Sequence, residues 1–340
     1  MREILEALLQ GRNLDGETSE RCLEALMGGE WSEAAQAAFL VALRAKGESP
    51  TEVAAAARVL RRHALAVETA RAPLVDTCGT GGDGAHTLNI STAAALTAAA
   101  CGAAVAKHGN RSVSSRCGSA DVLEALGVPL ELPPEALGRL LDECGFAFLF
   151  APRLHPAMRA VMPVRRELGI RTVFNLLGPL ANPAGVRRQV VGVYAAGVQG
   201  LLAGALAELG AEHAWVVHSA DGLDELSVGA ATRVVEVREG RVVGEFTVDP
   251  CDLGLAGRRE ELAGGEAAAN AARLGALLAG EERDTPAAAA VALNAGAALV
   301  VAGVAATLAE GVERARAALA AGEPSRLLTR VVSRARELSA

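Results

Sequence analysis

A short apolar strand signal, Leu74-Val75, runs directly into Asp76-Thr77-Cys78-Gly79-Thr80-Gly81-Gly82-Asp83-Gly84, and a helix signal follows over Asn89–Cys101. A strand that feeds a helix through a glycine turn belongs to an α/β architecture, in which helical crossovers join parallel strands. A second strand signal, Ala103–Lys107, opens into Lys107-His108-Gly109-Asn110-Arg111-Ser112-Val113-Ser114-Ser115. Glycines let backbone N–H groups turn toward an anion, and a helix entrance adds free N–H groups and a positive dipole end. Hydroxyls and cations complete such a cradle. Ligands of open α/β sheets sit outside the carboxyl ends of the strands. The two segments together predict a site for a ligand rich in phosphate.

The alternation continues. Further strand signals are Phe146–Phe150, Gln189–Tyr194 and His213–His218, and further helix signals are Ser119–Leu126, Pro134–Cys144, His155–Leu168 and Val198–Leu209. This pattern implies a mainly parallel central sheet flanked by helices on both faces. Arg233–Arg238 and Arg241–Val248 flank Glu239-Gly240 and read as a hairpin. The first 66 residues carry helix signals only, including Ser49-Pro50-Thr51-Glu52, which has the form of a capping box with proline in the first turn. The reading is a small all-helical N-terminal domain over 1–66, completed by helices from about 155–180, a linker over 67–73, and a larger α/β domain over 74–340.

With 340 residues and 51% hydrophobic composition, the chain can bury a large core. Its net charge of −7 opposes general nucleic-acid binding, which leaves a basic footprint. Only Lys46 and Lys107 are lysines among 33 basic residues, so a lysine inside a glycine-rich motif stands out. The cysteines Cys22, Cys78, Cys101, Cys117, Cys144 and Cys251 form no C-x-x-C pair and read as reduced thiols of a cytoplasmic protein. The apolar stretch from Thr285 to Leu308 is rich in Ala, Gly and Val, holds Asn294, and reads as a buried core helix rather than a membrane span.

Gly79, Gly81 and Gly84 satisfy the G-x-G-x-x-G spacing of a dinucleotide fingerprint, which expects an acid after the second strand. Lys107 stands there instead, and no Asp or Glu occurs between Asp83 and Asp121. A cation at that place suits phosphate. Asp224-Glu225 follows the strand His213–His218; alone it reads as a solvated acidic turn, but beside two phosphate loops it becomes a candidate magnesium site with Ser91 opposite. Arg159, Arg165 and Arg166 are chemically equivalent candidates to hold a carboxylate. No Ser/His/Asp constellation or zinc spacing is present.

Asp76–Asp83, Asn89-Ile90-Ser91-Thr92, Lys107–Ser115, Gly118–Gly127, His155-Pro156-Ala157-Met158-Arg159, Phe174–Pro183 and Gly222-Leu223-Asp224-Glu225 closely resemble the anthranilate phosphoribosyltransferase family, in order and over most of the chain. The resemblance implies transfer of a phosphoribosyl group from phosphoribosyl pyrophosphate (PRPP) to the amine of anthranilate, with release of pyrophosphate, in tryptophan biosynthesis. It implies Mg2+ as cofactor and a homodimer joined through the helical domain. By this resemblance, PRPP is bound by Gly79, Gly82, Asp83, Thr87, Asn89, Ile90, Ser91, Thr92, Lys107, His108, Gly109, Asn110, Arg111, Ser112, Val113, Ser114, Ser115 and Ser119. Magnesium falls to Ser91, Asp224 and Glu225, and anthranilate to Gly79, Asn110 and Arg165. His108, His155 and Pro179 match positions near the family's anthranilate channel. The nearest rival, a pyrimidine nucleoside phosphorylase, is opposed by the set Asn110, Arg165 and Asp224-Glu225. A paralogue that binds nucleic acid is opposed by the charge.

Overall fold

The computed structural model describes residues 1–112 and 116–339. Four helices open the chain: α1 (Arg2–Leu9), α2 (Gly16–Met27), α3 (Glu33–Lys46) and α4 (Pro50–Arg62). The side chains of Asp15, Ser32 and Ser49 cap α2, α3 and α4. At α4 the expected capping box is complete: Ser49 Oγ accepts from Glu52 N, and Glu52 Oε2 accepts from Ser49 N at 2.7 Å. Gly47, at φ 89°, ends α3 in a backbone conformation that a side chain would resist.

Strands β1 (Leu74–Asp76), β2 (Ala104–Gly109), β3 (Phe146–Phe150), β4 (Arg188–Gly192), β5 (His213–Ser219), β6 (Thr232–Arg238) and β7 (Arg241–Val248) form one sheet in the order β3-β2-β1-β4-β5-β6-β7. The first five are parallel; β6 and β7 form the expected antiparallel hairpin. Between β1 and β2 lies α5 (Ile90–Ala100); α6 (Ser119–Ala125) and α7 (Pro134–Cys144) lead to β3. The chain then runs outward to β2 and β3 and returns to place β4 on the other side of β1. That reversal makes the carboxyl ends of β1 and β4 a topological switch point, where a crevice opens.

The expected helix His155–Leu168 is instead a 3-10 turn over Pro156–Ala160 followed by α9 (Met162–Leu168), and a short α8 (Ala151–Leu154) precedes it. Proline is the reason. Pro156 and Pro163 lack N–H groups and disfavour helical backbone in the residue before them; His155 accordingly takes φ −121°, ψ 70°.

After β4 comes α10 (Ala196–Glu208), and the chain ends in α11 (Ala267–Leu278), α12 (Pro286–Ala302), α13 (Leu308–Ala320) and α14 (Glu323–Ser339). The strands alternate their burial between two cores, as the period of two demands. Trp215 and Val217 face the core that holds α5 and α12, while Ala214 and Val216 face the one that holds α10. This second core also contains α1–α4 residues together with Val161, Val164, Phe174 and Leu180. Helix α12 is the expected buried helix, with Ala290 to Leu299 almost wholly inside. Among the described residues no helix is long and apolar enough to cross a membrane.

Candidate active site

A cleft of about 1020 Å³ lies at the switch point. Its walls are the turn after β1, the entrance of α5, the segment after β2, the loops after β4 and β5, and the stretch from α9 to Phe174. Gly79, Gly82, Asp83, Thr87, Asn89, Ser91, Thr92, Lys107, His108, Gly109, Asn110, Arg111, Ser112, Ser119, Arg165, Asp224 and Glu225 all line it. Ile90 does not: its side chain is packed into the apolar core, so only its backbone could serve a ligand. Val113, Ser114 and Ser115 lie outside the described residues.

Close backbone contact draws the loops together. Thr80 N–H donates to the Gly192 carbonyl at 2.8 Å, and Tyr194 N–H donates to Thr80 Oγ1 at 3.2 Å. A Cβ on Gly192 would overlap the Asp224 carbonyl, and a Cβ on Gly79 would lie 3.0 Å from the Gly192 carbonyl and 3.3 Å from Asp224 Oδ2. Only glycine lets the ends of β1, β4 and β5 meet this tightly. Farther along, a Cβ on Gly109 would strike Ser119 Oγ and the Phe148 ring, which brings the β2 segment against α6.

The two cations of the β2 segment are more engaged than their sequence context suggests. Lys107 is 2% exposed, and its Nζ donates to Thr77 Oγ1 at 3.2 Å beneath the glycine turn. Arg111 forks onto Glu124 at 2.7 and 2.9 Å and reaches Asp121 at 3.0 Å. Asp121 also accepts from Ser112 N and Gly118 N, so this network shapes the loop. At the α5 entrance, Asn89 donates to the Cys117 carbonyl and accepts from Asn270, while the Thr92 hydroxyl is buried without a protein partner.

Opposite these groups stand three carboxylates. Asp83 Oδ2 accepts from Asp224 N at 3.5 Å, and Glu225 Oε1 accepts from Ser91 N at 2.9 Å. Burial, followed by the neighbouring Asp83, raises the Asp224 pKa to about 7. Burial, followed by Asp224, raises that of Glu225 to about 8. Glu225 Oε2 is buried with no hydrogen-bond partner. Like charges in a buried site hold each other protonated unless a cation joins them. Among the described residues no three His, Cys, Asp or Glu side chains converge as an all-protein metal cage requires. Magnesium seldom uses such a cage; it takes one or two carboxylates, waters and substrate phosphates. Ser91, Asp224 and Glu225 fit that manner of binding.

The far wall is apolar and cationic. Arg165, partly buried, stacks on Phe174 with 5.3 Å from Cζ to the ring centroid. Burial lowers its pKa, and no acidic side chain pairs with it among the described residues. Arg166 also borders the cleft, whereas Arg159 is exposed outside its lining. His108 Nδ1 lies 2.8 Å from the Gly178 carbonyl, so it carries the proton, and His108 Nε2 accepts from His155 Nε2 at 3.1 Å. Burial lowers both pKa values, to about 4 for His108 and about 3 for His155, where His108 adds to the effect.

The cleft combines a glycine and hydroxyl turn, a buried acidic pair and an arginine without an acidic partner among the described residues, and known proteins share the fold that builds it. Residues 71–325 match the model described as "Glycosyl transferase family, a/b domain", and residues 2–64 match "Glycosyl transferase family, helical bundle domain". The anthranilate phosphoribosyltransferase of Anaeromyxobacter dehalogenans is 50% identical, with 98% of each chain covered. The chain belongs to this family. The Symbiobacterium thermophilum member is 48% identical, covering 97% of this chain and 96% of its own. The crystal structure of the family member from Thermus thermophilus superposes with a TM-score of 0.92 at 50% identity, covering 98% and 99% of the two chains. The Saccharomyces cerevisiae member in complex with PRPP and Mg gives 0.91 at 26% identity, covering 98% and 97%.

Several residues of the cleft carry no sequence signal of their own. Arg171, Gly192, Tyr194 and Asn294 line it because the loop after α9, the end of β4 and the buried helix α12, distant in sequence, converge there. Phe174 was part of a matching motif but became a cleft wall only through the fold.

Proposed function

We propose that the protein transfers the phosphoribosyl group of PRPP to the amine of anthranilate, giving N-(5-phosphoribosyl)anthranilate and pyrophosphate, in tryptophan biosynthesis. The observation that carries this reading is one cleft that holds a glycine and hydroxyl cradle, a buried acidic pair and an arginine without an acidic partner among the described residues. The amides and hydroxyls from Gly79 to Thr92 and from Lys107 to Ser119 bind the phosphates, with Val113 to Ser115 included by resemblance. Ser91, Asp224 and Glu225 hold Mg2+, which when bound neutralises charge on the pyrophosphate leaving group.

Arg165 takes the anthranilate carboxylate through its guanidinium fork, with Gly79 and Asn110 beside it. This fixes the weakly basic amine toward the ribose anomeric carbon, and positioning of this kind supplies much of the rate. Charge builds on the leaving oxygen as the glycosidic bond breaks; preorganised backbone donors of the glycine turn stabilise it. The neutral His108 forms part of the wall, with the buried His155 behind it. We assign no residue as general acid or base.

We further infer a cytoplasmic homodimer that associates through the helical domain, 1–66 with the segment from about 155–180, linked by 67–73 to the α/β domain 74–340. The packing of Val161, Val164, Phe174 and Leu180 with α1–α4 supports the completion of the helical domain by that segment; the same core continues into α10 and one face of the sheet, so the two domains pack on each other. The test is direct: protein, magnesium, PRPP and anthranilate are mixed and anthranilate fluorescence is followed. Loss of fluorescence that requires both PRPP and magnesium is expected; phosphorolysis of thymidine or uridine without anthranilate turnover would overturn the reading.

A further inference from the structure

Arg171 crosses the cleft. It follows Gly169, the left-handed residue (φ 60°) that ends α9, so it leaves the same short segment that presents Arg165. Its Nη2 donates to the carbonyl of Gly82 at 2.6 Å, and its Cζ lies 3.9 Å from the centroid of the Tyr194 ring. A planar guanidinium can donate and stack at once, which an ammonium cannot. No acidic side chain pairs with Arg171 among the described residues, so its two partners are a carbonyl and a ring.

Gly82 has φ 82°, a conformation held without any side chain of its own. Neighbouring parts of the turn have other ties: Thr80 to Gly192, and Asp83 Oδ1 to Ala85 N at 3.0 Å. The Gly82 carbonyl is tied by Arg171. In a planar trans peptide the C=O and the following N–H point in opposite directions. Pinning the Gly82 carbonyl therefore also sets the direction of the Asp83 N–H, at the residue whose carboxylate adjoins Asp224. Tyr194, beneath the guanidinium, is itself joined to the turn through Thr80 Oγ1.

We propose that Arg171 is a positioning residue that sets the Gly82–Asp83 peptide for the pyrophosphate of PRPP. The inference rests on the substrate reading above. It gives Arg171 an action through the turn, with no contact to anthranilate.

The experiment measures direct PRPP–magnesium binding by calorimetry, both KM values, kcat and the thermal midpoint for wild type, Arg171→Ala and Arg171→Lys. Loss of a charge-assisted hydrogen bond predicts about a tenfold weaker PRPP affinity for Arg171→Ala. Anthranilate KM at saturating PRPP and the thermal midpoint stay near wild type. Arg171→Lys, which keeps a donor but loses the planar stack, falls between. Unchanged PRPP affinity in Arg171→Ala, or an equal rise in both KM values, overturns the proposal. If Arg171→Ala does not fold, Arg171→Lys decides: weakened PRPP binding at unchanged anthranilate KM supports it, and any other pattern overturns it. Wild-type binding of PRPP without anthranilate turnover would instead refute the substrate reading, and calorimetry separates the two failures.

Discussion

Asn294 grips the backbone of Leu226 from both sides. Leu226 N–H donates to Asn294 Oδ1 at 3.0 Å, and Asn294 Nδ2 donates to the Leu226 carbonyl at 2.9 Å. The same Nδ2 reaches the Ala290 carbonyl within α12, so the amide is anchored to a buried helix. It thereby fixes the residue that follows Asp224-Glu225. Asn294→Leu would leave the N–H and C=O of Leu226 buried and unpaired, at about 1–3 kcal/mol each. The expected outcome is a lower thermal midpoint together with a magnesium titration displaced to higher concentration. An unaltered magnesium titration in a folded variant would separate Asn294 from the acidic turn.

Asp224→Asn with Glu225→Gln removes both charges at nearly constant volume. If these carboxylates hold magnesium, kcat/KM should fall by at least about a hundredfold. The buried charges themselves are unfavourable, as their raised pKa values show. The double variant should therefore be no less stable than wild type without metal. Thermal melts in chelator and a metal titration of activity test both halves. A normal metal response would reduce the pair to a structural turn.

Arg165→Ala removes a cation that no acidic side chain of the described protein neutralises. A lost charge-assisted pair weakens binding by about 1.5–3 kcal/mol, so anthranilate KM should rise roughly ten- to a hundredfold. PRPP affinity should hold. Arg165→Lys should recover little, because stacking on Phe174 and a bidentate fork both need a planar group. Equal losses for both substrates would sink the carboxylate assignment.

What could be read before folding was local. The glycine turn, the hydroxyls of the α5 entrance and the Asp224-Glu225 pair announce their chemistry through residue type and neighbours alone. The strands were legible because parallel strands covered on both faces are apolar runs, as in Phe146–Phe150. Lys107 was a cation in a polar motif, and nothing local disclosed that its ammonium would be buried under Thr77. Arg171 was one arginine among many, and its partners, Gly82 and Tyr194, are brought to it by sheet order. The broken helix after His155 was legible in principle, through Pro156 and Pro163, but its apolar periodicity concealed the breaks.

Gly192 states the same lesson in steric form. It carries no motif, yet a side chain there would overlap the Asp224 carbonyl. Gly192→Ala should cost about 1–3 kcal/mol through overpacking and should lower activity by shifting the acidic turn. Gly197, with open space around its Cβ position, is the control: Ala there should leave both unchanged or slightly raise stability. Indistinguishable behaviour of the two variants would show that the turn can move freely.

The buried histidine pair makes the last prediction, a pH dependence. His108 and His155 have folded pKa values near 4 and 3, below the ordinary histidine value, because burial disfavours the charged ring. The folded protein therefore binds fewer protons at these sites than the unfolded chain between about pH 4 and 6.5. Stability from each neutral histidine is fully present above pH 6.5 and drains as pH falls toward the folded value, by about 1.4 kcal/mol per pH unit per group. Asp76, beside His108 N, acts in the opposite sense: burial raises its pKa to about 6, so its share declines as pH rises through that range. A comparison with His155→Gln isolates the histidine contribution from Asp76 and the other acids. The variant should be destabilised at pH 8 by its imperfect packing, and the gap to wild type should narrow steadily from pH 6.5 to pH 4.5 in urea titrations. Parallel stability curves over that interval would mean that His155 does not stay neutral in the folded protein.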